Sequence, residues 1–185
     1  MIPTAPKDGR RDPAGLTFRR LRRPDLRLVH RWLHEPHVAR WWYADVGDFD
    51  EVSSKYSAYI EDREPVEPYL ILHDERPVGY AQSYRVADDE EYAALVGIED
   101  AAGIDLFIGE RDLLYKGLGP RIIHRFLQEV VFADGSIGVC IIDPEPGNTA
   151  AIRAYRKVGF RHLASADTSE GPVYLMKLSR EEFSA

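Results

Sequence analysis

Two glycines separate an apolar segment from an amphipathic one near the middle of the chain. The apolar segment, residues 102–109, has the composition of a buried strand, and Lys116-Gly117-Leu118-Gly119 follows it. Residues 120–132 then carry apolar side chains at helical spacing. Backbone N–H groups at the start of such a helix have no internal partner, and with the helix dipole they favour phosphate. Two glycines also suit a tight turn, so a phosphate site needs a second motif in support.

Composition limits the class of protein. A chain of 185 residues with 44% hydrophobic and 30% charged residues suits one globular domain. The net charge of −7 argues against nucleic acid as a partner, and the apolar runs are too short for a membrane span. The N-terminus shows no secretory signal. Cys140, the single cysteine, excludes an internal disulfide and is expected in the core, which suits a cytoplasmic location.

The rest of the chain predicts strands and helices within one domain, residues 16–185, after a flexible lead-in at residues 1–15. Strands are expected at residues 16–21, 68–73, 78–86, 136–143 and 173–178, with a further strand from Phe160. Helices are expected after Pro24, after Asp48 and at residues 149–158. The acidic connection, residues 88–100, is open to two interpretations, a solvated loop or a mobile lid that attracts a cation.

A second motif lies about 30 residues beyond the glycine loop, at the spacing of a strand and a helix. Asn148, Ala151, Tyr155 and Gly159-Phe160 follow a predicted strand that ends in Asp143-Pro144. Together with the glycine loop, this motif resembles the GNAT superfamily of N-acetyltransferases. Residues 38–42, 77–84 and 103–105 further resemble the aminoglycoside 6′-N-acetyltransferases of that superfamily. The resemblance extends from about Leu16 to Leu178.

The resemblance implies an α+β (mixed α/β) fold in a single domain. Its sheet would have about seven mostly antiparallel strands, splayed at the centre, with helices on both faces. Acetyl-CoA would be the cosubstrate, without a metal. The contacts expected for acetyl-CoA are Phe107, Ile108, Lys116, Gly117, Leu118, Gly119, Pro120, Arg121, Asn148, Ala151 and Tyr155. The chain departs from the family at Leu114, where Gln or Arg is usual, and at Pro120, which removes an amide donor.

Two residues are candidates for catalysis. Acetyl transfer to an amine requires removal of the ammonium proton and a proton for the leaving thiolate. The resemblance assigns the first role to Asp105 and the second to Tyr155. The carboxylate is expected across from the phenol where the sheet opens, and the two are not expected on opposite faces of the sheet. Each residue also has a purely structural alternative. Asp105 would be an edge-strand residue facing solvent, Tyr155 a core residue and Asn148 a helix cap.

The substrate site implied by the resemblance is acidic and aromatic, as a polycationic aminoglycoside requires. Its expected members are Trp41, Tyr80, Gln82, Tyr84, Asp89, Glu90, Asp105, Asp143 and Glu170. Adjacent Trp41 and Trp42 are expected to point in different directions, one into the core. In the acidic connection the family carries tryptophans, whereas this chain has Tyr92.

Three functions are compatible with this pattern. The leading prediction is 6′-N-acetylation of aminoglycosides in the cytoplasm by a monomer or weak homodimer. The second is an acyltransferase for a hydroxylysine-type siderophore precursor or another small amine, although those relatives usually carry His where this chain has Asp105-Leu106. The third is a module that binds the antibiotic without turnover.

Overall fold

The computed structural model describes residues 15–42, 45–168 and 171–185. Within these ranges seven strands form one sheet in the order β1-β2-β3-β4-β5-β7-β6. The strands are β1 (Leu16–Arg20), β2 (Val66–His73), β3 (Arg76–Arg85), β4 (Ala101–Ile108), β5 (Val139–Ile142), β6 (Arg161–Thr168) and β7 (Gly171–Ser179). Neighbours are antiparallel except for β4 and β5, which are parallel. The predicted mixed, mostly antiparallel sheet is therefore confirmed.

The described ranges also contain helices between and after these strands. They are α1 (Leu26–Leu33), α2 (Pro36–Ala39), α3 (Phe49–Ile60), α4 (Glu90–Val96), α5 (Leu118–Phe126), α6 (Thr149–Val158) and α7 (Arg180–Ser184). Helix α5 continues as a π-helical turn at Leu127–Val131. None of the helices in the described ranges is both long and apolar enough to cross a lipid bilayer.

The helices cover both faces of the sheet. On one face, α5 and α6 pack over a core that includes Ile104 and Cys140. On the other face, α1, α2 and α3 pack over Tyr80 and Phe107, and α4 covers a smaller cluster around Ile141. Side chains alternate between the two faces along a strand. Asp105, two residues before Phe107 on β4, therefore belongs to the same α1–α4 face as Phe107. This alternation decides which polar side chains share the site.

The sheet opens between its two parallel strands. Pairing of β4 with β5 covers Ala101–Gly103 and Val139–Ile141 only. Strand β4 continues to Ile108, whereas β5 ends at Ile142. From Ile104 onward the β4 edge therefore has no β5 partner, and its N–H and C=O groups on that side are available to other groups. The expected splay is present, and it begins one residue before Asp105.

Local chemistry explains where the elements begin and end. Asp48 accepts hydrogen bonds from the N–H groups of Asp50 and Glu51 and caps α3, as its spacing from Glu51 predicted. Pro36 occupies the first turn of α2, where its missing N–H costs nothing. Helix α6 ends at Gly159, which has a φ of 114°.

Two predictions about the chain need comment. The acidic connection is not a loop, since it forms a 3₁₀ turn at Val86–Asp88 and then α4. A helix forms there because Asp89 caps it and its few apolar side chains face the sheet. The flexible lead-in predicted at residues 1–15 lies outside the described residues except for Gly15. The single domain over residues 16–185 stays a prediction.

Candidate active site

A chain of hydrogen bonds holds Asp105 at the opening of the sheet. Asp105 lies opposite Gln82 in the pairing of β4 with β3. The Gln82 Nε2 group donates to Asp105 Oδ2 at 2.9 Å, and the Tyr80 hydroxyl donates to Gln82 Oε1 at 2.8 Å. Since Tyr80 occupies the amide oxygen, Gln82 must present its N–H to the carboxylate. The carboxylate orientation is therefore set by two residues of β3.

The environment of Asp105 favours its protonated form. Burial, with the neighbouring charge of Asp143 next in importance, raises the pKa of Asp105 from 3.8 to about 7. The hydrogen bond from Gln82 and the charge of Lys55 act in the opposite direction, and Asp45 adds to the rise. Ionisation is opposed because the carboxylate is desolvated and faces like charges. A carboxylate with a pKa near neutrality is well matched to proton transfer at physiological pH.

Aromatic hydroxyl groups line the same face beside Asp105. The Tyr84 ring lies directly over Gly103, where a Cβ would be only 2.3 Å from the ring. The Tyr92 ring of α4 is 6.3 Å from the Tyr84 ring, measured between centroids. Burial raises the pKa of both phenols, and the charges of Asp105 and Asp143 add to the effect. Both tyrosines are therefore neutral, and they border the acidic pair.

Tyr155 reaches the opening from the other face of the sheet. It belongs to α6, is 7% exposed, and packs against Phe160 with ring centroids 5.5 Å apart. Burial raises its pKa, and Asp105 is the next contributor. Asp105 alternates with Ile104 and so lies on the same face as Phe107, whereas Tyr155 belongs to the core under α5 and α6. The expectation that the two residues share one face is therefore wrong, and they can act on one substrate only across the gap between β4 and β5.

The glycine loop lies at the start of α5 next to α6. Gly117 precedes the helix with a φ of 77°, and no atom lies within 4 Å of the position that its Cβ would take. A Cβ on Gly119 would be 3.9 Å from Ala154 of α6. The amide groups of Leu118 and Gly119 belong to the unpaired first turn, whereas Pro120 has none. The loop therefore has open space and free donors, as a diphosphate site needs.

The other predicted acetyl-CoA contacts differ in exposure. Asn148 Oδ1 accepts from the Ala151 N–H at 3.2 Å, so Asn148 caps α6. Phe107 is 7% exposed among the aromatic rings of the α1–α3 face, and Ile108 is half-buried on the α5 side. The Ile108 carbonyl accepts a hydrogen bond of 3.0 Å from His37 Nε2. Lys116 and Arg121 are exposed beside the loop.

The two adjacent tryptophans separate as their spacing predicts. Trp42 packs edge-to-face against Phe107 at 4.9 Å and Tyr80 at 5.9 Å, measured between ring centroids. Trp41 instead lies against Gly147, in the loop that precedes α6. Trp42 is thus the core residue, and Trp41 borders the open end of the sheet.

The four other acidic residues predicted to bind substrate have different positions. Asp143 follows β5 directly and, as described above, influences Asp105. Asp89 Oδ1 accepts from the Tyr92 N–H at 2.9 Å and so caps α4, while Glu90 is exposed in its first turn. Glu170 lies outside the described residues. Within the described ranges no group of three or more His, Cys, Asp or Glu side chains could hold a metal ion.

Comparison with known proteins assigns this architecture. A family model described as an acetyltransferase (GNAT) domain matches residues 22–168. The chain belongs to the GNAT family of acetyltransferases. Within this family, an aminoglycoside N(6′)-acetyltransferase type 1 from Klebsiella pneumoniae is 30% identical over 171 residues, which cover 91% of this chain and 85% of that protein.

Two further relatives differ in the activity that their names give. The solved structure of aminoglycoside acetyltransferase AAC(6′)-Ib in complex with coenzyme A and kanamycin is 30% identical, with a TM-score of 0.83, over 91% of this chain and 97% of that chain. Lysine N-acyltransferase MbtK from Mycolicibacterium paratuberculosis is 24% identical over 180 residues, which cover 96% of this chain and 78% of that protein. The predicted GNAT family and fold are confirmed.

Sequence reasoning did not single out one acidic residue of this GNAT site. Asp45 is held by Lys55 and by the Tyr56 hydroxyl, the latter at 3.0 Å, and its charge contributes to the raised pKa of Asp105. Asp45 precedes α3 by a few residues and shares no motif with β4. Lys55 and Tyr56 follow Asp45 by 10 and 11 residues, so no short-range pattern predicted that they would bind it.

Proposed function

We propose that this GNAT chain transfers the acetyl group of acetyl-CoA to the 6′-amine of an aminoglycoside. The observation that carries the proposal is the position of Asp105. It lies where the sheet opens, and burial together with the charges of Asp143 and Asp45 raises its pKa. Carboxylates grouped in this way repel one another, and a ligand with several ammonium groups relieves that repulsion. The 30% identity to aminoglycoside acetyltransferases supports the same substrate class.

The glycine loop and α6 would hold the cosubstrate. Open space at Gly117 and the unpaired amides of Leu118 and Gly119 fit a diphosphate, and Lys116 adds positive charge. Asn148 uses its oxygen to cap α6, so its NH₂ group remains a donor for a neighbouring amide. Acetyl-CoA supplies an acetyl group activated as a thioester.

Asp105 and Tyr155 would move the protons. Gln82 occupies Oδ2 of Asp105, so we assign Oδ1 to the proton of the attacking amine. A protonated ammonium has no lone pair for attack, and a base with a pKa of about 7 removes this proton near neutrality. Tyr155 stays protonated because burial raises its pKa, and its hydroxyl would donate a proton to the leaving sulfur.

The siderophore alternative is not favoured. The lysine N-acyltransferase is more distant, at 24% identity, than the aminoglycoside enzymes, and β4 carries Asp105-Leu106 instead of the His usual in such relatives. We further propose that the protein acts in the cytoplasm as a monomer or weak homodimer. The unpaired thiol of Cys140, buried in the core, supports a reducing compartment.

A turnover experiment tests the proposal. The purified protein should release thiol from acetyl-CoA when kanamycin is added, and mass spectrometry should find one acetyl group on the 6′-amine. Asp105→Asn keeps the shape of the side chain without its basicity and should lower kcat/KM by roughly 10²–10⁴-fold. Tyr155→Phe should lower kcat by at least roughly tenfold.

Asp74→Asn is the matched control, because this carboxylate lies in the exposed β2–β3 turn, where Asn tolerates the φ of 50°. It should leave turnover unchanged. If no aminoglycoside of a panel yields product, the proposed substrate class is wrong. If Asp105→Asn keeps full activity, the assignment of Asp105 as the base is wrong.

A further inference from the structure

The hydroxyl group of Tyr80 forms the far end of the hydrogen-bond chain that reaches Asp105. Tyr80 and Gln82 point to the same face of β3 because they are two residues apart, and Gln82 lies opposite Asp105 on β4. The Tyr80 hydroxyl donates to Gln82 Oε1 at 2.8 Å, and Gln82 Nε2 donates to Asp105 Oδ2 at 2.9 Å. Both lengths are those of well-formed hydrogen bonds. Tyr80 is therefore linked to the proposed base through a single side chain.

Tyr80 itself is enclosed by protein. Its exposed fraction is 0%, whereas Asp105 is only half-buried. The rings of Phe107, Tyr56 and Trp42 pack around it, with centroids 5.6, 5.2 and 5.9 Å from that of Tyr80. The resemblance placed Tyr80 among the substrate contacts, but a side chain so enclosed can act on a substrate only through its neighbours.

The Tyr80 hydroxyl decides which end of the Gln82 amide faces Asp105. An amide has a donor end and an acceptor end, and an ionised carboxylate only accepts hydrogen bonds. The reversed amide would place Oε1 against Asp105, where it repels the ionised form and accepts a hydrogen bond from the protonated form. Reversal would also turn the NH₂ group toward the Tyr80 oxygen, and the phenol proton would need another acceptor among aromatic rings. Tyr80 therefore holds the amide in the orientation that favours the ionised carboxylate.

We propose that Tyr80 is a positioning residue for acetyl transfer, which fixes the Gln82 amide so that its N–H group, and not its oxygen, faces Asp105. The inference rests on the proposed function, in which Asp105 is the base. It gives the aromatic core under α1, α2 and α3 a part in catalysis without any contact with substrate.

Tyr80→Phe tests this role, because it deletes only the hydroxyl oxygen. The amide can then reverse and stabilise protonated Asp105, so the pKa of Asp105 should rise from about 7 by roughly 0.5–1 pH unit. A base must be ionised to act, so kcat/KM for kanamycin should fall roughly 3- to 10-fold at about pH 6 and match wild type at about pH 9. A loss of packing alone would lower kcat/KM equally at both pH values.

The other charged and titratable groups of the site are the same in wild type and Tyr80→Phe, so the comparison isolates the hydroxyl. Those that interact electrostatically with Asp105 are Asp45, Lys55, Tyr84, Tyr92, Cys140, Asp143 and Tyr155, and Tyr59 and Arg20 act in addition on Tyr80. Tyr69→Phe is the matched control. The Tyr69 hydroxyl donates to Glu67 at 2.6 Å, and its ring packs on the core under α5, so this variant should keep the wild-type pH profile.

Gln82→Met tests whether Tyr80 acts through Gln82. Met has about the length of Gln but no donor for the carboxylate, so the pKa of Asp105 should rise in this variant too. Adding Tyr80→Phe to Gln82→Met should cause no further rise. A further rise as large as that in the wild-type background would show that Tyr80 acts by another route, and the inference would be wrong.

NMR of isotope-labelled Asp carboxyl carbons measures the pKa of Asp105 without turnover, and the spectrum of Asp105→Asn assigns its signal. Equal pKa values in wild type and Tyr80→Phe, or an equal loss of kcat/KM at both pH values, overturn the inference. If wild type acetylates no aminoglycoside, the proposed function is wrong, whereas the titration still decides the orienting role of Tyr80. A raised pKa in Tyr80→Phe supports that role, and an unchanged pKa refutes it.

Discussion

At the scale of single residues, the site depends on a carboxylate placed where its charge is unfavourable. Asp105 has a raised pKa because it is desolvated and faces Asp143. Its folded-state pKa lies above the unfolded-state value, so the folded protein binds this proton more tightly. The associated stability is fully present below about pH 4 and is lost as the pH rises to about 7. The charge that makes Asp105 a base therefore lowers the stability of the fold.

Asp105→Asn should consequently stabilise the protein while it removes activity. We expect the free energy of unfolding at pH 8 to rise by roughly 1–3 kcal/mol, because the change deletes a desolvated charge and keeps an acceptor for Gln82. The gain should shrink towards zero at about pH 4, where Asp105 is already neutral. Urea denaturation at several pH values measures both effects.

Asp134→Asn provides a control of opposite sign. Hydrogen bonds from Ser136 lower the pKa of Asp134, so its contribution to stability is present above the unfolded-state pKa and is lost as the pH falls. Asp134→Asn should therefore lower stability at pH 8 and have less effect in acid. A pH-independent gain for Asp105→Asn would contradict the desolvated-charge account.

At the scale of elements, α4 depends on its N-cap. Asp89 accepts from the Tyr92 N–H and so fixes the first turn of the helix that carries Tyr92. Asp89→Ala should cost about 1 kcal/mol of helix stability and raise the KM for kanamycin, since α4 packs beside Tyr84 where the sheet opens. Asp89→Asn keeps the cap without the charge, because Asn caps as well as Asp.

The comparison of Asn with Ala separates two roles of Asp89. If Asp89 only caps α4, Asp89→Asn should leave kcat and the KM for kanamycin unchanged. If Asp89 also contacts an ammonium group, Asp89→Asn should raise that KM as well. Asp48→Ala, which removes the equivalent cap of α3, should lower stability by a similar amount and leave KM unchanged. A KM increase for Asp48→Ala would show that the kinetic effect is a general consequence of lost stability.

At the scale of the whole molecule, ligand binding should stabilise the open part of the sheet. Coenzyme A at about 100 times its Kd should add about 2.7 kcal/mol to stability and raise the melting temperature by roughly 5–10 °C. Gly119→Val should abolish this shift, because its side chain occupies space beside the first helical turn that the diphosphate needs. Differential scanning fluorimetry measures the shift.

Gly135→Val serves as the control, since no atom lies within 4 Å of the Cβ position at Gly135, which lies in the loop before β5. It should retain the full shift. Hydrogen exchange gives the local counterpart, because the β4 amides beyond Gly103 that lack a β5 partner should exchange faster than those of β3 and slow when coenzyme A binds. A thermal shift of equal size in Gly119→Val would place the cosubstrate elsewhere.

Much of the fold was predictable because its signals are local. Alternation along β3, the Asp48 cap, the stop at Gly159 and Gly117 at the start of α5 all act within a few residues, and each was confirmed. The connection before β4 was the exception. A charge run favours a loop on average, but the cap at Asp89 and the apolar contacts under α4 produced a helix.

The sequence by itself determined the family, most of the strands and the candidate residues Asp105 and Tyr155, because these depend on motifs and short-range spacing. Only the tertiary structure decided the rest: where β4 parts from β5, that Asp105 and Tyr155 approach from opposite faces, and that the charge of Asp45 adds to the raised pKa of Asp105. Each of these depends on contacts between segments far apart in the chain. Desolvation and charge repulsion act through space, so no local pattern encodes the raised pKa of Asp105.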